Sequence, residues 1–257
     1  MATNDEPATR DATARDIETL RGWIREAKPG KMVFFGGAGV STESGIPDFR
    51  SAEGIYAQGG VIPPEEMVSR SFFDAHPAEF FDFYFKSMWF PDAQPNQAHR
   101  KLAELERAGT LSAVITQNVD GLHQKAGSRS VLELHGSSLR NYCTGCGTRF
   151  TAEQLQAAHE QADDGIPRCR ACGGIIRPDV VLYEEALDQR VLQRAIEAIR
   201  GADLLMIAGT SLVVYPAAGL IDYFFGNRLV IVNRSPTPRD RHADLYIAAS
   251  IGAVMDF

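Results

Sequence analysis

Cysteine is scarce in this chain. Its 257 residues carry four, Cys143, Cys146, Cys169 and Cys172, and all fall in two Cys-x-x-Cys pairs. That leaves none for the wider disulfide framework that staples small secreted domains. No apolar run approaches the ~18 residues that a membrane span needs. The stretch Met1–Arg15 is polar and contains acids, unlike a secretory or mitochondrial leader, so the expected compartment is the cytoplasm. Positive charge is also in short supply: 26 Lys and Arg stand against 33 Asp and Glu, a net charge of −7. This balance speaks against a surface built to hold a nucleic-acid backbone. Repeats and low-complexity tracts are lacking. What is present is 44% hydrophobic residues, enough at this length for one sizeable core and a small appendage.

Residues 1–12 read as a disordered lead. Ile17, Leu20, Trp23, Ile24 and Ala27 then recur at helical spacing behind a Thr13-x-x-Asp16 start, and Pro29-Gly30 ends that helix. Short apolar runs follow at Met32–Phe35, Ala113–Thr116, Val131–Leu134, Leu204–Ala208, Leu229–Val232 and Leu245–Ile247. Most are apolar throughout rather than alternating, the pattern of parallel strands covered on both faces. Helix-like segments at Pro95–Ala108, Ala186–Arg200 and Pro216–Phe225 lie between them, so the expected fold class is α/β with a doubly wound parallel sheet. Two stretches break the alternation, about 51–91 and 138–179. Both read as insertions that form a smaller domain, the first helical, leaving about 13–50, 92–137 and 180–257 to the sheet. The aromatic run Phe80, Phe81, Phe83, Tyr84, Phe85 and Trp89 is read as the core of the helical insertion rather than a cofactor-stacking surface.

The second insertion holds the cysteines. Two Cys-x-x-Cys pairs match a tetrahedral Zn²⁺ site of the ribbon type, and small or polar neighbours such as Gly145, Gly147, Gly173 and Gly174 suit metal knuckles. A thioredoxin-like redox site would have one such pair, and two disulfides are the other rival. With four protein ligands no coordination position is left for substrate, so the expected metal is structural.

The first strand runs into Gly36-Gly37-Ala38-Gly39-Val40-Ser41-Thr42, a turn expected to open a helix. Such a turn lets backbone N–H groups meet a pyrophosphate, yet it also serves as an ordinary tight connection; by itself it leaves both readings open. Ser44-Gly45-Ile46-Pro47-Asp48-Phe49-Arg50 then stops the helix and presents an acid, an aromatic and a base on a loop. Thr116-Gln117-Asn118-Val119-Asp120, Glu133-Leu134-His135-Gly136, Gly209-Thr210-Ser211 and Asn233-Arg234-Ser235 all stand at carboxyl ends of expected strands, where ligands of open α/β sheets lie.

With these motifs in order, the chain resembles the sirtuin family of NAD-dependent protein-lysine deacylases, over about Ala27 to Val254. The likeness rests on 37–51, 116–123, Leu134-His135-Gly136, the four cysteines and 209–216. It implies a Rossmann domain with a zinc-bearing lobe, with NAD and acetylated (acylated) protein lysine meeting between them. The acyl group would pass to ADP-ribose with release of nicotinamide. The resemblance assigns Gly37, Ala38, Gly39, Thr42, Asp48, Phe49 and Arg50 to the cofactor loop. It assigns Gln117, Asn118, Val119 and Asp120 to the ribose and nicotinamide pocket, and Gly209, Thr210, Ser211, Asn233 and Ile251 to the adenosine half. His135 is implied as general base, with Asn118 and Asp120 beside it in the catalytic set. A histidine at a strand end titrates near neutrality and is suited to take a ribose hydroxyl proton. His123 is expected to fix the loop after Asp120, and His76, His99, His159 and His242 to be surface residues.

The chain departs from the family pattern in two places. Gly36 replaces a common Thr, and Leu182-Tyr183-Glu184-Glu185 replaces an aromatic pair followed by Gly-Glu. The second lies where the substrate peptide is expected to pair, opposite Leu212–Val214, and a side chain at Glu184 restricts a backbone that Gly would leave free. The Tyr and Arg, three apart, of succinyl-selective members are not both found: Tyr84 is followed at that spacing by Ser87, so neutral acyl groups are expected, acetyl first. Three other functions remain for comparison: mono-ADP-ribosyl transfer, a zinc-ribbon binding module and a hydride-transferring dehydrogenase. The oligomeric state is left open, a monomer being compatible.

Overall fold

The computed structural model describes residues 6–51, 54–55 and 62–257. In chain order the elements begin with α1 (Glu6–Glu26), β1 (Met32–Gly36), α2 (Pro64–Met67), α3 (Arg70–Ala75), α4 (Pro77–Ser87), α5 (Gln97–Arg107), β2 (Leu111–Thr116), α6 (Leu122–Lys125) and β3 (Val131–Glu133). They continue with β4 (Gly136–Cys143), β5 (Arg149–Thr151), α7 (Ala152–Glu160), β6 (Ile176–Val180), α8 (Gln189–Gly201), β7 (Leu204–Ala208), β8 (Arg228–Val232), β9 (Leu245–Ile247) and α9 (Ile251–Val254). Helix α1 begins before the expected Thr13 start, with Pro7 in its first turn, where a helix tolerates proline. Of the lead expected over 1–12, residues 1–5 lie outside the described residues.

Six parallel strands form one sheet in the order β3-β2-β1-β7-β8-β9. Every residue of β1 and of β7 is buried, because alternate side chains enter different cores. Met32 and Phe34 pack under Leu20 and Ile24 of α1 and Leu102 of α5, while Val33 and Phe35 pack under Ala195 and Ile199 of α8. Two covered faces explain why these strands read as unbroken apolar runs. Each fully buried large side chain contributes about 1.5–3 kcal/mol, which makes this double core the main source of stability. The chain winds leftward from β1 through β2 to β3 and then resumes on the other side of β1 with β7. The sheet therefore changes winding direction between β1 and β7, the place where open α/β sheets form a crevice.

The two insertions meet in one small lobe. Phe72, Phe73, Phe80, Phe81 and Tyr84 from the helical insertion share a core with Cys143, Leu155, Cys169 and Ile176 from the cysteine-bearing one. The aromatic run is thus largely core filling, as its composition indicated. A three-stranded antiparallel sheet, β5-β4-β6, backs this core. His99 corrects the surface reading: it is fully buried, because its Nδ1 completes a capping box with Asn96 at the start of α5. His159 is half-buried, with Nδ1 2.6 Å from the Gly165 carbonyl and its ring stacked on Phe85.

Candidate functional site

The glycine turn does not open an α-helix; it forms two short 3₁₀ turns, Ala38–Val40 and Thr42–Ser44. Gly45 ends the second with φ +82°, and Pro47 follows. The glycines are demanded first by packing. A Cβ on Gly37 would stand 2.8 Å from Thr210 Cβ, and one on Gly39 2.7 Å from Gly209 Cα. Gly209 itself has φ +59°, and a Cβ there would clash with the Val40 nitrogen. The ends of β1 and β7 are thereby interlocked at the switch point, and the Gly39 N–H donates to the Gly209 carbonyl at 2.8 Å.

A polar network spreads from this interlock. The Ser41 hydroxyl donates to Asp120 Oδ2 at 2.7 Å and accepts from Asn118 Nδ2 at 3.0 Å. Asp120 Oδ1 accepts from the Leu122 N–H, and Gln117 Nε2 donates to Thr210 Oγ1. Burial raises the Asp120 carboxyl above the usual carboxylate range, and the donors Leu122 N–H, Ser41 and Asn118 pull it partly back. His135 stands at the end of β3 with Nδ1 3.0 Å from the Gln117 carbonyl oxygen. A carbonyl only accepts, so Nδ1 carries the proton and Nε2 is left as an acceptor. Burial lowers the His135 pKa below its ordinary value, with the bond to Gln117 opposing. This shift favours the neutral imidazole, the state required of a base.

One cleft of about 1130 Å³ runs over these groups and under the small lobe. Its lining takes in the turn residues Gly37, Ala38, Gly39 and Thr42, the loop residues Asp48, Phe49 and Arg50, and Gln117 through Asp120 with His135. Gly209, Thr210, Ser211, Asn233 and Ile251 line its other reach. The tertiary structure thus gathers every expected binding residue around one space. Asp48 is partly committed to its own loop, since Oδ1 accepts from the Ser51 N–H at 2.8 Å. Asn233 Nδ2 donates to the Ser235 carbonyl. Arg50 Nη2 reaches across the cleft to the Tyr183 hydroxyl at 3.3 Å. Tyr84 is 1% exposed, inside the small-lobe core rather than at the cleft, whereas Ser87 lines it.

Three residues of the network were missed in the sequence. Ser41 is 1% exposed and joins the turn to Asp120 and Asn118, yet nothing in its neighbourhood distinguishes it from a turn serine. Asn96 holds the Val40 carbonyl at 2.8 Å while capping α5; the Asn-Gln-Ala-His spacing of a capping box was the available signal. His99 lies against His123, ring centroids 4.7 Å apart, both buried. His123 follows Asp120 by one turn and packs on Phe34.

The cysteines pass a test for zinc. Their four Sγ atoms all lie within 4.8 Å of one another, close to the ~3.8 Å edge of a tetrahedron with 2.3 Å Zn–S bonds. No disulfide joins them. The two knuckles are built alike: Gly147 and Gly173, each directly after the second cysteine of its pair, have φ of +73° and +76° and donate N–H to the carbonyls of Cys143 and Cys169. The Gly145 N–H donates to Cys143 Sγ, a bond that supports a thiolate. These four residues fit a structural zinc ion, and Cys143 and Cys169 belong to the small-lobe core.

Sheets that reverse their winding beside a glycine turn form the Rossmann class of dinucleotide-binding folds, and here a ribbon lobe roofs the crevice. The comparison with known proteins narrows the class. The sequence model of the Sir2 family matches residues 37–216, and the chain belongs to that family. It is 54% identical over 232 residues to a protein of Clostridium acetobutylicum described as an NAD-dependent protein deacetylase, covering 90% of this chain and 93% of that one. A Cutibacterium acnes protein of the same description is 53% identical over 240 residues, covering 93% and 95%. Among solved structures, Sir2 with deacetylated p53 peptide and 3'-O-acetyl ADP-ribose superposes with a TM-score of 0.86 at 38% identity, covering 93% of this chain and 95% of that one. Sir2 with p53 peptide and NAD⁺ gives 0.83 at 39%, with the same coverage. Among the described residues no helix is long and apolar enough to cross a membrane.

Proposed function

We propose that this chain is an NAD-dependent protein-lysine deacetylase, which moves the acyl group from lysine to ADP-ribose and releases nicotinamide. The observation that carries the reading is the placement of His135, with Nδ1 on the Gln117 carbonyl and Nε2 left as an acceptor, in the cleft that also holds Asn118, Asp120 and the glycine turn. NAD, when bound, supplies the ribosyl acceptor and a leaving group. In this reading His135 takes the proton of a ribose hydroxyl. Gln117 fixes its tautomer through its carbonyl and is itself held by Thr210. Asn118 and Asp120, tied together by Ser41, present polar atoms to the nicotinamide and ribose half. Gly209, Thr210, Ser211, Asn233 and Ile251 form the adenosine half, and Phe49 with Arg50 covers the cofactor. The burial of Tyr84 away from the cleft supports neutral acyl groups, acetyl first. Free thiols poised for a metal suit the reducing cytoplasm.

Incubation with NAD and an acetyl-lysine peptide is expected to give one nicotinamide per peptide deacetylated. Addition of ADP-ribose to protein in its place, read by mass, would point to transfer chemistry. His135→Ala should keep the fold and lower turnover by about 10²–10⁴, the usual contribution of a general base.

A further inference from the structure

Glu184 adopts a backbone conformation that an L-residue avoids. Its φ is +74°, and Leu212 is the other non-glycine residue at positive φ among the described residues. Both stand on segments that border the mouth of the cleft, and strain of this kind persists where the surroundings enforce it. At Glu184 the enforcing contact is visible. One carboxylate oxygen accepts from the Ser71 N–H at 2.8 Å and the other from the Ser71 hydroxyl at 2.9 Å. Ser71 lies in the first turn of α3, in the helical insertion.

The segment that Glu184 belongs to leaves β6 and runs along the cleft toward α8. Its backbone is already fastened at two points: the Val181 N–H donates to the His135 carbonyl, and Tyr183 pairs with Val68 and Arg70. Beyond Tyr183 the chain must turn back, and the Glu184–Ser71 contact holds that turn. Around the same mouth lie exposed large apolar side chains, Leu139, Tyr183 and Tyr215, whereas the far end of the cleft is the glycine turn. The apolar mouth suits a polypeptide and the turn suits the dinucleotide, so Glu184 sits on the polypeptide side. Both of its carboxylate oxygens are engaged by Ser71.

We propose that Glu184 is a positioning residue for the acyl-lysine peptide: through Ser71 it latches the 181–185 segment to α3 and fixes the edge against which the peptide is read. This rests on the proposed deacetylase function. A glycine at this position would be free of strain but would leave the edge loose, so the latch exchanges local ease for a pre-formed peptide site.

Steady-state kinetics on one acetyl-lysine peptide, with NAD varied separately, test it in the wild type, Glu184→Gly, Ser71→Ala and the double variant. Glycine suits φ +74°, so Glu184→Gly should fold with an undiminished melting temperature. Its KM for peptide should rise about five- to tenfold, the loss of two charge-assisted hydrogen bonds offset by the relieved strain, while kcat and the KM for NAD change by less than about twofold. Ser71→Ala should raise the peptide KM about threefold, and the double variant should be no worse than Glu184→Gly, because both changes remove one contact. An unchanged peptide KM in Glu184→Gly would overturn the latch. So would a rise in Glu184→Gly with none in Ser71→Ala, which would mean that the carboxylate attracts peptide directly. Absence of peptide turnover in the wild type would instead overturn the proposed function, a result distinct from either.

Discussion

Strand β1 of the large lobe buries all five of its residues, whereas β5 of the small lobe, Arg149–Thr151, leaves its first and last side chains exposed. The contrast extends to whole lobes. The sheet of the large lobe is packed on both faces by apolar side chains, and burial is the main source of its cohesion. The small lobe has a single core, into which two metal-binding cysteines are built, and beside it lies Arg177, 1% exposed and paired with Glu185. A lobe with too little apolar surface depends on directed bonds, and such bonds fail singly and abruptly. The cleft lies between the lobes, so a defect in either reaches it.

Metal removal should separate the lobes most sharply. Ligation contributes about 10–16 kcal/mol of folding free energy in small zinc peptides, so a chelated protein or a Cys143→Ser variant should lose the β4–β6 sheet and all activity. Hydrogen exchange should then show rapid exchange in β4 and β6 with β1, β2, β7 and β8 still protected. Equal loss of protection in both sheets would erase the distinction drawn here.

Next comes the buried ion pair. Arg177 Nη1 and Nη2 both donate to the Glu185 carboxylate, at 2.8 and 3.0 Å. Arg177→Ala removes one partner from a mostly buried pair and should cost about 3–5 kcal/mol in denaturant unfolding. A cost near zero would show that Arg70, 3.3 Å from the same carboxylate, suffices.

The large lobe has its own weakness, in acid. Burial holds His99 down to about 4, with Arg100 adding to the effect, and holds His123 down to about 3, with His99 adding to it. The folded protein keeps both neutral, while the unfolded chain protonates them near 6.5. Above pH 6.5 they contribute no pH dependence; as pH falls from 6.5 toward 4 the unfolded state gains protons that the fold refuses, and stability declines. Melting temperatures across this window should fall, and His123→Phe should flatten the slope. A slope unchanged by that substitution would place the acid sensitivity elsewhere.

The smallest expected effect lies where the lobes touch. Tyr183→Phe removes only the hydroxyl that accepts from Arg50, a long bond worth no more than about 0.5–1.5 kcal/mol, so the KM for NAD should move by less than about tenfold. A larger shift would mean that this bond governs closure of the cofactor loop.

All six strands of the parallel sheet were legible because both faces are covered, which writes each strand as an apolar run. The three strands of the small lobe were not: β4 has Arg140 and Asn141 in its middle, and a strand held by a metal and one shared core need not alternate. The cysteine cluster that fits zinc was legible because ligand spacing is a local property, and each knuckle even carries its left-handed glycine. His99 was misread because the polar partner that allows its burial comes from a capping box and the ring packed on it, His123, from α6, far along the chain.

The apolar runs of the parallel strands, the paired cysteines and the groups able to do chemistry at strand ends were set by the sequence, since each follows from local pattern and spacing. The tertiary structure alone decided that Gly37, Gly39 and Gly209 interlock, that Ser41 ties Asp120 to Asn118, that Gln117 sets the tautomer of His135, and that Glu184 finds Ser71. Each of those is a contact between residues far apart in the chain, and hydrogen bonds and steric exclusion act over distances in space that sequence separation does not encode.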